Sequence, residues 1–140
     1  MKKVLIDTNV VIDFILEEKP YYQDAQTIME KIINGKAQGY ITASMATDIF
    51  YLLQKKKGKT FALNTLVDLF NFIDVLTVYK NDVYSALFSG WGDFEDALQA
   101  NVAVRSGMDA IVTRNNKDYK NVKSIDVVFP QDFIHYLKKT

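Results

Sequence analysis

The sequence predicts an α/β protein built on a parallel sheet with helices on both faces. Three observations carry that expectation. Short apolar runs rich in β-branched residues alternate along the chain with longer stretches of helical periodicity. The first run, Val4-Leu5-Ile6, shows no polar alternation, as a strand buried on both faces requires. Of the 140 residues, 49% are hydrophobic and 24% charged. That is too apolar for a disordered chain, and enough for the core of one domain spanning 1–140.

The first strand stops at an acid, Asp7. Thr8 and Asn9 then open a helix over 9–18, with Asn9 as N-cap and Val10, Phe14 and Ile15 turned inward. The blander role for Asp7 is to help cap that helix. Asp13 lies in the second turn and reads as a solvent-facing acid. Lys19-Pro20 closes the helix. A second helix, 21–34, carries Ala25, Ile28, Met29 and Ile32 at helical spacing and stops at Gly35. A short strand over 39–42 follows.

Ser44 caps a helix over 45–57 with Ile49, Phe50, Leu52 and Leu53 as its apolar residues, ending in Lys55-Lys56-Lys57-Gly58-Lys59. Residues 60–72 form another helix with Leu63, Leu66, Val67 and Phe70 facing in. The third strand is 74–78, and Asn81 caps a short helix over 82–89 on Val83, Ala86 and Leu87. Gly90-Trp91-Gly92 breaks the chain. The helix that then runs to Arg105 is apolar on nearly every side, which marks it as buried. Strands over 110–112 and 126–129 follow, and Pro130 starts a final helix on Phe133, Ile134 and Leu137.

Composition excludes several chemistries. With no cysteine there is no disulfide framework, thiolate nucleophile or cysteine zinc site. A lone histidine, His135, excludes a multi-histidine metal cluster. No run is long enough to span a membrane, and the N-terminus meets a carboxylate too early for a signal peptide. A cytoplasmic protein with no membrane partner is therefore expected. Formal net charge is zero, so any polyanion must be held by a local patch or a bound metal.

Acids recur where the strands end. Asp7 follows the first strand, and Asp48 lies one turn into the helix after the second. Asp93, Glu95 and Asp96 open the nearly all-apolar helix, and Asn115 and Asp118 follow the fourth strand. In one parallel sheet these ends share an edge, the edge where such sheets bind ligands. Carboxylates converging there repel one another unless a cation binds. Oxygen ligands without His or Cys select Mg²⁺ or Mn²⁺. Such a site activates water and holds a phosphate for in-line displacement. Plainer roles stand beside these: Asp93 as an N-cap, Glu95 as a solvated acid favoured by the helix dipole, and the lysine run as a solvated helix end. Trp91 and the Phe and Tyr residues read as core, and His135 as structural or exposed.

Four stretches, VLIDTNVVIDFIL, ITASMATDIFYLL, DFEDALQANVA and DAIVTRNNKDY, resemble the PIN-domain nucleases, and among them the VapC-like toxins of toxin–antitoxin pairs. They span nearly the whole chain in the family's order. The resemblance implies strand order 3-2-1-4-5, Mg²⁺- or Mn²⁺-dependent endoribonuclease activity, an antitoxin partner and a homodimer. It makes Asp7 and Asp96 metal ligands, with Asp48 a third, directly or through water. Asn115 or Asp118 completes the catalytic set, and Asn9, Asp93 and Thr113 support it. Lys55, Lys56, Lys57, Lys59 and Arg114 are the candidate RNA contacts. Two positions depart from the family pattern: Asp48 stands where Glu is usual, and Asn115 where an acid is usual. Those departures suit an alternative role as a catalytically weak RNA- or protein-binding module. A flavodoxin-like or HAD-like phosphoryl-transfer enzyme would instead need a second Asp at the position of Asn9.

Overall fold

β1 (Lys3–Ile6) is the central strand of a five-stranded sheet. The structure is a computed structural model and describes residues 1–120 and 122–139. β1 pairs in parallel with β2 (Gln38–Thr42) on one side and β4 (Ala110–Val112) on the other. β3 (Ile73–Leu76) and β5 (Asp126–Val128) add the outer edges, also parallel. The order is therefore β3-β2-β1-β4-β5, as expected. Val4 lies opposite Gly39 and Ala110, and Ile6 opposite Val112. Pairing continues just past the strand ends: Asp7 N donates to Val112 O at 2.9 Å and Thr113 N to Val128 O at 3.0 Å. Asp7 and Thr113 thus emerge side by side.

Four helices make the crossovers on the β2 and β3 side: α1 (Thr8–Ile15), α2 (Tyr22–Ile33), α3 (Ala43–Lys57) and α4 (Lys59–Leu69). α5 (Lys80–Leu87) and α6 (Phe94–Arg105) then carry the chain back to β4. Right-handed crossovers that reverse direction in this way put α1–α4 on one face and α5–α6 on the other. Single 3₁₀ turns, Asn116–Tyr119 and Pro130–Asp132, precede β5 and α7 (Phe133–Lys138). The main core joins Val4, Leu5 and Ile6 to Ile28, Met29, Ile41, Met45, Ile49, Ile111 and Phe133, all fully buried. A smaller core of Ala86, Ala97, Leu98 and Val102 locks α5 to α6.

Helix starts differ from the sequence expectation in a consistent way. Asp7, not Asn9, caps α1: its Oδ1 accepts from Thr8 N at 2.8 Å. Thr42, not Ser44, caps α3, with Oγ1 accepting from Met45 N at 3.1 Å. α5 starts after Tyr79 rather than at Asn81, and Asp82 Oδ2 accepts from Tyr79 N at 2.8 Å. In the first case the cap is the single residue between strand and helix, and in the second it is the last strand residue, so neither helix is preceded by a loop. Asp93 caps α6 as expected, its Oδ1 accepting from Asp96 N at 2.9 Å.

Four faces also need correction. α4 buries Ala62 and Leu69, whereas Leu63, Val67 and Phe70 are exposed. α4 packs on α3 at the margin of the main core and carries more apolar surface than that contact covers. Leu52, Leu87 and Ile134 likewise turn outward. Asp13, read as solvent-facing, is only 2% exposed because Arg114 pairs with it. Tyr119, Phe133 and Tyr136 belong to the core as expected of aromatic residues, but Tyr21, Tyr51, Phe70, Tyr79, Tyr84, Phe88 and Phe94 are exposed. Among the described residues, no helix is long and apolar enough to cross a membrane.

Candidate active site

The carboxyl ends of β1, β2 and β4 open into a cleft of about 700 Å³ whose walls include Asp7, Asp48, Asp96 and Asp118. Asp7 forms its floor, and every oxygen of its carboxylate is held. Oδ1 accepts from Thr8 N, while Oδ2 accepts from Thr113 Oγ1 at 2.7 Å and, more weakly, from Asn9 Nδ2 at 3.5 Å. Thr113 Oγ1 in turn accepts from Asn115 N at 3.0 Å. The hydroxyl therefore clips the exit of β4 to the exit of β1. Asp96 enters from the first turn of α6, with Tyr119 Oη donating to its Oδ1 at 3.4 Å. Tyr119 is fully buried, and its hydroxyl donates at 2.7 Å to Gln99 Oε1, one turn along α6.

The electrostatics are those of acids crowded without compensation. Burial raises the Asp7 carboxyl, Asp118 adds to the rise, and the hydrogen bonds from Thr113 and Thr8 oppose it. Asp96 is pushed up to about 6 by burial first, then by Asp93, Asp7 and Asp118. Glu95 is raised chiefly by Asp48, then by burial and Asp93. Burial and the neighbouring Asp7 and Asp96 also push the Tyr119 phenol upward, so it is a hydrogen-bond donor throughout the physiological range. The charge of Asp118 thus bears on both Asp7 and Asp96, and that of Asp48 on Glu95.

The structure brings most of the anticipated residues together. Asp7, Asn9, Asp48, Asp96, Arg114, Asn115 and Asp118 all line the cleft, and Thr113 and Asp93 lie directly behind it. The lysines do not line it. Lys55, Lys56 and Lys57 end α3, with Lys55 about 5 Å of helix rise beyond the cleft-lining Leu52. Lys57 Nζ instead lies 5.7 Å from the Phe61 ring centroid. Sequence reasoning passed over Lys19, Tyr21 and Gln99 and read Asp13 and Glu95 as solvated acids, although all five line the cleft, and it gave Tyr119, behind the cleft, no role in the site. One signal was available. Asp13 interrupts the run Val10-Val11-Ile12, just as Asp96 interrupts an apolar helix, and an acid in such a place needs a partner.

Among the described residues, no three acidic or histidine side chains are grouped closely enough, as they stand, to hold one metal ion. The donor chemistry does fit a hard divalent cation. The cleft acids offer only oxygen ligands, and their mutual repulsion is relieved by positive charge. Asn9 Oδ1 and Thr8 Oγ1 are buried beside Asp7 without a hydrogen-bond partner. Oxygens in that condition need a proton donor or a cation.

A parallel α/β sheet with an acid floor at its central strand end defines a class, and the comparisons place the chain within it. A family profile described as the PIN domain matches residues 3–117, and the chain belongs to that family. No curated protein matches it. Among solved structures, the DNA-bound VapBC of Salmonella typhimurium superposes with a TM-score of 0.69 at 18% identity, covering 93% of this chain and 99% of that one. A toxin–antitoxin complex from Klebsiella pneumoniae gives 0.68 at 19%, covering 91% and 97%. VapC20 of Mycobacterium tuberculosis, described as a sarcin–ricin loop cleaving toxin, gives 0.62 at 14%, covering 77% and 86%. At these identities the likeness is one of fold.

Proposed function

We propose that this PIN-domain protein is a divalent-metal-dependent endoribonuclease, the toxin of a toxin–antitoxin pair acting in the cytoplasm. The observation that carries the reading is the cleft at the ends of β1 and β4, lined by Asp7, Asp96 and Asp118, with the unpartnered Asn9 carbonyl beside Asp7. Similarity to VapBC complexes and to an RNA-cleaving toxin supports the choice of substrate and partner. Asp7, Asp96 and Asp48 would hold Mg²⁺ or Mn²⁺, which supplies the charge that lets a phosphodiester approach the acids. Asp7 is oriented by Thr113 and Thr8, and Asp96 by Tyr119. Asn115 or Asp118, both lining the cleft, would complete the site.

Asp7→Asn tests this. Asn caps a helix as well as Asp does, so the fold should survive. The ligand charge is lost, and metal-stimulated RNA cleavage should fall at least about a hundredfold. Cleavage at the parent's rate, with an unchanged melt, would remove Asp7 from the site. A second reading, an RNA- or protein-binding module, is favoured by one feature: among the described residues no three acids stand close enough together to hold a metal ion. Metal-stimulated turnover by the parent protein decides against it.

A further inference from the structure

Arg114 is held on two sides and free on a third. Its Nε donates to Asp13 Oδ2 at 2.7 Å and its Nη2 to Asp13 Oδ1 at 3.3 Å. Its guanidinium carbon lies 3.8 Å from the centroid of the Tyr21 ring. Buried Asp13 and the ring fix the plane of the guanidinium, while the Arg114 side chain keeps 29% of its surface exposed. Among the described residues, Nη1 donates to nothing. A guanidinium oriented in advance, with a donor unspent, is suited to a phosphate oxygen.

Its position gives that donor a use. Arg114, Tyr21 and Asn115 line both the acid cleft and an adjoining pocket of about 240 Å³. Phe129 adds a second aromatic wall to the pocket, and Asp24 and Gln131 add hydrogen-bonding groups at its edge. Neither the Asp24 carboxylate nor the Gln131 amide has a hydrogen-bond partner among the described residues. One cavity therefore offers a ring face, a base-reading edge and a cationic corner. Those are the parts by which proteins hold a splayed single-stranded nucleotide.

We propose that this pocket is a nucleotide subsite: it seats the base flanking the phosphodiester at the acids, with Arg114 on a phosphate oxygen and Asp24 selecting guanine. The proposal rests on the ribonuclease reading for its place in the reaction. The preference follows from donor patterns. An ionised carboxylate only accepts. Guanine presents N1–H and N2–H side by side and so meets both carboxylate oxygens. Adenine and cytosine each set a donor beside an acceptor, and uracil sets one N–H between two carbonyls.

A randomised single-stranded RNA, cut with Mg²⁺ or Mn²⁺ present and sequenced at its new ends, should show guanine enriched at one position beside the cut. Asp24→Asn should reduce that enrichment about tenfold, the size of one bidentate base contact. Arg114→Lys keeps a cation for Asp13 but loses the fork, and should raise KM about tenfold at unchanged melting temperature. Cuts without base preference, or the same preference in Asp24→Asn, would overturn the subsite. If the RNA is not cut at all, the nuclease reading fails, and the pocket is then judged by binding. Guanosine 5′-monophosphate added to the metal-free protein should shift amide resonances around Tyr21 and Gln131 more than uridine 5′-monophosphate does, and Asp24→Asn should erase the difference. No shift there at millimolar nucleotide, or equal shifts with both, overturns it.

Discussion

Asp7 and Asp96 show how the same acid can be an asset to chemistry and a cost to folding. Asp96 is raised to about 6 by burial and by Asp93, Asp7 and Asp118, so the folded chain holds its proton more tightly than the unfolded chain does. A raised carboxyl contributes stability that is complete below the unfolded value of about 4 and is lost as pH climbs through the folded value. Metal-free Asp96→Asn should therefore melt a few degrees higher than the parent at pH 7.5. The gap should close as pH falls toward 4, as thermal melts in chelator will show. An unchanged or lower melting temperature at pH 7.5 would mean the acids do not burden one another. Asp96 was legible because a carboxylate heading an apolar helix is anomalous. Asp13 carries the same anomaly, but its explanation, Arg114, lies 101 positions away in sequence, and no local pattern reports a partner at that distance.

At the scale of elements, one ion pair ties the two helices of the far face together. Asp82, at 1% exposure in α5, accepts from Arg105 Nε at 2.7 Å and from Asn101 Nδ2 at 2.8 Å, both on α6. Burial alone would raise its carboxyl, but the bonds from Arg105, the Tyr79 N–H and Asn101 outweigh it and hold the group below the ordinary range. A depressed carboxyl contributes stability above its unfolded value and loses it as pH falls through the folded value, here below about 4. Asp82→Ala should cost about 2 kcal/mol at neutral pH, less than a fully buried pair because Arg105 keeps contact with water. Its acid-unfolding curve should flatten below pH 4, and denaturant titrations at pH 7 and pH 3 read both effects. Helix count and the buried run of β1 were visible in hydrophobic periodicity, whereas the strand order came only from the resemblance to the PIN-domain family. Helix starts were not visible, because Asp7 and Thr42 stand at strand exits and serve as caps at once, and a search for Ser or Asn ahead of an apolar stripe begins too late. The inner face of α4 was misjudged because apolar residues surround most of its circumference, and period alone does not say which of them the core takes.

For the whole molecule, the misjudged face becomes informative. Tyr51 on α3 and Val67 on α4 are 75% and 68% exposed, with Leu52, Leu63 and Phe70 around them. Phe50, Phe61 and Phe72, on or beside the same two helices, are half-buried against the core. An exposed apolar patch of this kind marks an interaction surface. We expect a homodimer across α3 and α4, and Val67→Glu should dissociate it. Light scattering of both proteins checks this, and a parent that is monomeric at tens of micromolar would refute it. Tyr51 and Leu52 also line the cleft, so the second copy would stand at its mouth.

The two shared junctions constrain how this chain can change over time. Asp7 is the only residue between β1 and α1, and nothing separates Thr42 from α3. One inserted residue at either place would rotate the following helix by about 100° and carry its buried stripe toward solvent. Chain length is fixed at both places, and at Asp7 the site fixes the identity as well. From Thr113 to Tyr119 the backbone instead crosses the cleft rim as a loop and a single 3₁₀ turn, with Arg114, Asn115 and Asp118 on it. The rim has room for insertions and deletions, so descendants of this sequence would be expected to keep the floor of the cleft and diversify at its rim.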